Sequence, residues 1–212
     1  MKPGAGTAET TLATNEDLPA IVQIHQAAFP GFLMTVLGRG FLMRYYKLAF
    51  DCRGGLILLA REIGQETPAG FAVGYAEPKE FYRRLVGARI QLGLAAAFYA
   101  VFRPWTWLRI ASAFRRARSA AVHHMPHRAE LASLAVRPEC GGRGIGQALV
   151  ERFVALAGEM GATEVALTTD ADNNERVIRF YQKLGFVVSR EVQVTEERRM
   201  VELVRGGLRP QN

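Results

Sequence analysis

Val136-Arg137-Pro138-Glu139-Cys140-Gly141-Gly142-Arg143-Gly144-Ile145-Gly146-Gln147-Ala148-Leu149 reads as the end of a strand, a glycine-crowded turn and the first turn of an amphipathic helix. On its N-terminal side Ala132, Leu134 and Val136 alternate with Leu131, Ser133 and Ala135, an apolar pattern suited to a strand buried on both faces. Pro138 ends that strand. On its C-terminal side Ile145, Leu149, Phe153, Leu156 and Met160 recur at helical steps, so a helix lays one stripe on the sheet. Between them stand Gly141, Gly142, Gly144 and Gly146. Several glycines let consecutive amides point one way with no Cβ in the path, and the free N–H groups of a helix start add partial positive charge. Such a turn is a cradle for a pyrophosphate.

Spacing separates three kinds of cradle. A P-loop closes on Gly-Lys-Ser/Thr, whereas Gly146 is followed by Gln147 and Ala148. A dinucleotide fingerprint would require glycine at Gln147 or at Leu149. Both patterns fail. A second segment lies downstream, after the strand Glu164-Val165-Ala166-Leu167-Thr168-Thr169. It runs from Asp170 through Asn173 and Asn174, which cap a helix with the stripe Val177, Ile178, Tyr181 and Leu184, to Gly185 and Phe186. Gly-Arg-Gly-Ile-Gly after Val-x-Pro, with Asn174, Tyr181, Gly185 and Phe186 following in order, closely resembles the acetyl-CoA-binding half of the GNAT (Gcn5-related N-acetyltransferase) superfamily. The family's glycine motif falls on Gly141, Gly142, Arg143, Gly144, Ile145 and Gly146, and its leading Arg or Gln is replaced by Gly141.

The 212 residues can bury one sizeable core, and one domain is expected over 11–205, with tails at 1–10 and 206–212. Cys52 and Cys140 make no disulfide framework, the N-terminus has no apolar signal core, and a reduced cytoplasmic location is the default. The net charge of +7 is local. From Lys79 to Arg128 ten basic residues face Glu80 alone, which is +9 and leaves −2 for the remainder. That basicity suggests an anionic partner, from CoA phosphates to a membrane surface.

Thr14, Asn15, Glu16 and Asp17 before Leu18-Pro19 read as a capped helix start, with Leu18, Ile21, Val22, Ile24, His25 and Phe29 at its apolar positions and its end near Pro30-Gly31. A second helical stretch covers 32–50 with Leu37, Phe41, Tyr45 and Leu48 on one face. The runs at 56–60 and 71–75 make a hairpin. The resemblance implies an α/β (α+β) fold with a mixed, mostly antiparallel central sheet flanked by helices. In the usual arrangement that hairpin leads almost directly to the strand at Glu130. Here a helical, basic insertion of about 77–128 intervenes. Its apolar run from Leu92 to Phe102 is cut by Arg103 and Pro104, short of the ~20 residues a membrane span needs. It reads as a lid over the acceptor pocket or, second, as a platform for peripheral membrane or partner contact through 79–128 and its Trp105 and Trp107. Nucleic-acid binding is the least favoured reading.

Acyl transfer to an amine needs a base for the ammonium proton, a donor for the oxyanion and an acid for the leaving thiolate. By resemblance Glu130 is the base, and its alternative is a strand-end carboxylate paired with Arg128 or another arginine. Tyr181 resembles the family's acid on the CoA sulfur, and its alternative is a core aromatic. The resemblance places Asn174 on the pantetheine arm, a role compatible with helix capping. It places the main chain of Leu134, Ala135 and Val136 along that arm, and the amides of Gly141 through Gln147 on the pyrophosphate. His123, His124 and His127 invite a metal reading, but Pro126 breaks their spacing and no Cys or Asp completes a site. No metal is expected. The implied activity is transfer from acetyl-CoA directly to a primary amine, of a small molecule such as an amino sugar. The alternatives are a protein N-terminus or lysine as acceptor, a longer acyl donor, or a non-catalytic acyl-CoA-binding or membrane-associated regulator. The chain is expected to be a monomer or a homodimer.

Overall fold

The computed structural model describes residues 8–88, 92–93, 125–195 and 198–208. Seven strands form one sheet: β1 (Ala8–Leu12), β2 (Gly55–Glu62), β3 (Pro68–Tyr75), β4 (Arg128–Val136), β5 (Glu164–Asp170), β6 (Val187–Thr195) and β7 (Arg198–Gly206). Their order is β1-β2-β3-β4-β5-β7-β6. Every neighbouring pair is antiparallel except β4 with β5. This is the expected mixed, mostly antiparallel sheet. β1 takes in residues 8–10, which the sequence reading assigned to a tail, because Ala8 through Leu12 pair with the edge of β2.

Helices cover both faces: α1 (Leu18–Ala28), α2 (Leu33–Val36), α3 (Gly38–Phe50), α4 (Pro78–Gly87), α5 (Ile145–Glu159) and α6 (Glu175–Lys183). One core holds Leu56, Leu58 and Ala72 of the sheet with Leu149, Phe153 and Ala157 of α5 and Tyr181 of α6. The other holds Ile57, Leu59, Phe71 and Val73 with Ile21 and Ile24 of α1, Leu42 and Tyr46 of α3, and Phe81 of α4. The strands of the hairpin are unbroken apolar runs because alternate side chains serve opposite cores. The expected helix over 32–50 is divided at Gly38, whose φ of 86° no ordinary helical residue adopts. The anticipated stripe, Leu37 just before α3 and Phe41, Tyr45 and Leu48 within it, packs beside Leu85 and Leu92, towards the insertion. Leu42, Tyr46 and Ala49 are the residues that face the sheet.

Two irregularities shape the centre of the sheet. Val73 pairs with Ser133 but Gly74 pairs with Leu131, so Ala132 is an extra residue in β4. The bulge exchanges the faces of β4: Ala129 and Leu131 belong to the α5 core before it, and Leu134 and Val136 pack on that same core after it. Gly74 is required there, since a Cβ would lie 2.2 Å from the Glu130 carbonyl oxygen and 2.4 Å from the Phe153 ring. The second irregularity is a split. β4 pairs with β5 only at Arg128, Ala129 and Glu130, opposite Glu164, Val165 and Ala166. β5 then continues alongside β7 as far as Asp170. Among the described residues no helix is long and apolar enough to cross a membrane.

Candidate active site

The split between β4 and β5 leaves backbone groups of both strands facing a gap. Arg137 N–H donates to the Ala69 carbonyl at 2.7 Å. In an antiparallel ladder alternate residues turn to the same partner, so Ala135 and Ser133 also turn to β3. Leu134 and Val136 therefore present their N–H and C=O groups on the gap side. Of the three expected strand residues, Ala135 keeps its polar groups on β3.

The glycine turn stands at the open end of the gap. A short 3₁₀ turn over Pro138–Cys140 leads out of β4, and Gly142 and Gly144 take φ of 78° and 79°. Gly144 is the residue that precedes α5, and its carbonyl accepts the N–H of Ala148. The N–H groups of Ile145, Gly146 and Gln147 come before that first helical bond and have no partner within the helix. They share the positive end of a 15-residue helix. Gly146 lies against both the strand and α6: a Cβ there would be 3.5 Å from the Phe180 ring and 3.7 Å from Val136 Cγ2. The side chain of Arg143 turns to Glu62 Oε1 at 2.7 Å and the Glu139 carbonyl at 3.2 Å, and Gln147 Nε2 donates to Glu151 at 2.9 Å. Their contribution to the turn is main chain.

α6 brings the second motif to the same opening. Asn174 precedes the helix, and its carbonyl accepts the N–H groups of Val177 and Ile178 at 3.1 Å. Its Nδ2 donates to Thr169 Oγ1 at 2.8 Å and to the Asp170 carbonyl at 2.9 Å, which fastens the helix to the end of β5 and leaves Oδ1. Tyr181 is buried beside Phe180 and Phe186, with ring centroids 5.0 and 5.6 Å away. Burial holds its hydroxyl well above the usual tyrosine range, so it keeps its proton. Val177, expected in the stripe, is exposed at the outer side of α6.

Glu130 stands at the closed end of the gap, as the last residue of β4 paired with β5. Arg128 does not partner it. That guanidinium lies 2.8 Å from Glu164 and 3.3 Å from Glu202. Instead the Tyr82 hydroxyl of α4 donates to Glu130 Oε1 at 2.5 Å. Loss of hydration raises the carboxyl above its ordinary range, and the Tyr82 bond partly offsets that rise. Glu130 thus lies on the side of the core under α1, α3 and α4, and Tyr181 on the side of α5. Sequence reasoning missed Tyr82. No spacing signal could have found it, because it lies 48 positions before its partner.

Beneath the bulge, His25 Nδ1 lies 2.7 Å from the Tyr46 hydroxyl. Burial lowers that imidazole to about 4, so it is neutral at physiological pH. His127 sits in the turn before β4 with a φ of 58°, while His123, His124, Arg103, Trp105, Trp107 and the rest of 94–124 lie outside the described residues. Among the described residues no cluster of three metal-binding side chains occurs.

The family model described as Acetyltransferase (GNAT) family matches residues 18–186. No curated protein matches the chain. Solved structures share its fold. The ribosomal-protein-S18-alanine N-acetyltransferase from Escherichia coli is 16% identical with a TM-score of 0.59, covering 97% of this chain and 96% of its own. A structure titled as histone acetyltransferase HPA2 and related acetyltransferase, from Corynebacterium glutamicum, is 19% identical with a TM-score of 0.61, covering 97% and 99%. A GCN5-related N-acetyltransferase from Kribbella flavida is 16% identical with a TM-score of 0.59, covering 94% and 98%.

Proposed function

The chain belongs to the GNAT acetyltransferase family and is an acyl-CoA-dependent N-acetyltransferase, and on that premise we propose that it carries the acetyl group of acetyl-CoA directly to a primary amine of a small molecule such as an amino sugar. The observation that carries this reading is the gap between β4 and β5, open along Leu134 and Val136 and flanked at its mouth by the glycine turn. These residues fit the cosubstrate. The amides of Gly141 through Gln147 suit a pyrophosphate, and a gap lined by strand amides suits an extended amide-bearing arm.

Each group then has a task. The main chain of Leu134 and Val136 binds the pantetheine amides, Asn174 Oδ1 accepts from the same arm, and one strand N–H meets the oxyanion as it develops. Glu130, at the closed end, takes the proton that the acceptor ammonium must lose before its nitrogen can attack. Its raised pKa makes it a better base than an exposed carboxylate. Tyr181, which keeps its hydroxyl proton until charge develops on sulfur, hydrogen-bonds the departing thiolate and gives it that proton. The acetyl carbon passes from sulfur to nitrogen with no covalent enzyme intermediate, so Cys140 needs no role.

The small acceptor is supported by α4. Phe81 stacks on Tyr75 at 3.9 Å, and Tyr82 reaches Glu130, so the start of the insertion covers the base where a peptide would otherwise lie. The test is thiol release from acetyl-CoA over a panel of amino sugars, polyamines, amino acids and peptides. Turnover confined to small amines supports the proposal, and turnover confined to peptide or protein amines transfers the acceptor to proteins.

A further inference from the structure

We propose that Tyr82, on the helix that opens the insertion, is a positioning residue that orients Glu130 and sets the pH range over which its carboxylate accepts a proton. This makes the insertion a working part of the active site, and it rests on the reading of Glu130 as the base. Tyr82 is the one described side chain that hydrogen-bonds the carboxyl, and it occupies Oε1. Oε2 is left to face the incoming ammonium. A hydroxyl donor favours the charged carboxylate and turns the group to a fixed angle.

The placement of Tyr82 is held by its neighbours. Phe81, the preceding residue, is 1% exposed and stacks on Tyr75 with 13° between ring planes. Arg84 Nη1 donates to the Asp51 carbonyl at 2.9 Å, joining α4 to the end of α3, while Arg84 Nε holds Glu80 at 2.8 Å. Among the described residues the other titratable groups around Glu130 act without bonding it. Tyr45 of α3 and Tyr75 of β3 are neutral, their hydroxyls raised by burial. Glu202 of β7 raises the carboxyl, and Arg128 of β4 lowers it while shared with Glu164 and Glu202. Removing Tyr82 therefore takes away the one direct bond that the described residues make to the carboxyl in an otherwise desolvating site.

The experiment is the pH dependence of kcat for the full chain, with the best amine of the panel, in wild type, Tyr82→Phe, Tyr82→Gln and Glu130→Gln, each checked by thermal melting. Tyr82→Phe moves the acid limb upward by about one pH unit, the size of one charge-assisted hydrogen bond, and lowers kcat about tenfold below the limb. Tyr82→Gln, which restores a donor, returns the limb towards its original place. The ionisation of the amine is common to all variants and cannot produce the difference. A Glu130→Gln enzyme with unchanged rate and limb overturns the base reading itself. Loss of rate in Glu130→Gln with an unmoved limb in a folded Tyr82→Phe overturns the role of Tyr82 alone.

Discussion

The two halves of the proposed site, one for the cosubstrate and one for the acceptor, are built in different ways. On the proposed cosubstrate side the groups from β4 to the start of α5 are main chain, namely the amides of Leu134 and Val136, the turn at Gly142 and Gly144, and the first turn of α5. The side chains of Asn174 and Tyr181 are added at α6. On the opposite face the polar contacts join side chains gathered from far apart: Tyr82 meets Glu130, and within the buried core His25 meets Tyr46. Backbone sites need particular conformations at neighbouring positions, so they leave glycines and prolines in a short stretch of sequence. Side-chain sites need only that the folded chain bring two residues together. A ligand common to a family can be bound by the first kind, and a ligand peculiar to one member by the second.

Gly74 belongs to both halves, so its substitution should break the comparison altogether. Gly74→Ala puts a methyl group into the Glu130 carbonyl and the Phe153 ring, and we expect a loss of about 3 kcal/mol of stability, read from denaturant midpoints. Glu130→Gln should separate the halves cleanly: kcat falls about a hundredfold, whereas acetyl-CoA affinity measured by calorimetry is retained. An equal loss of both would show that the two halves are not independent.

His25 tests the core beneath α1 and α3 by pH. Its folded pKa of about 4 lies below the unfolded 6.5, so the unfolded chain binds the extra proton between those values. Stability is complete above pH 6.5 and falls as the pH drops towards 4, by about 2 kcal/mol between pH 7 and 5. His25→Gln should flatten that slope in urea titrations at several pH values, and an unaltered slope would assign it to other groups. The smallest effect is expected at the turn. Gly144 has a φ of 79°, and Gly144→Val should weaken acetyl-CoA about tenfold while leaving the Tyr82–Glu130 pH behaviour in place.

How much could be read from sequence follows the same division. The glycine turn, the helix after it and the Asn174-to-Phe186 segment are local patterns, and the elements fall where those patterns place them. The apolar run at Gly55–Glu62 likewise announces a strand buried on both faces. β1 was not legible, because Ala8-Glu9-Thr10-Thr11-Leu12 is polar and owes its strand to the edge of β2. Nor was the bulge at Ala132, which depends on Gly74 in another strand. Arg128 is the alternative partner of Glu130 by proximity in sequence. Residues two apart in a strand share a face, but a shared face does not pair them, and Arg128 is taken by Glu164 of β5 and Glu202 of β7.

The early end of pairing between β4 and β5 gives the sheet a third edge, in its interior. Outer edges invite other chains to add strands, which proteins must guard against. An inner edge is protected by the strands on either side and admits only a thread that enters from one end. On the proposed reading acetyl-CoA threads this slot, so amide exchange at Leu134 and Val136 should slow when it binds.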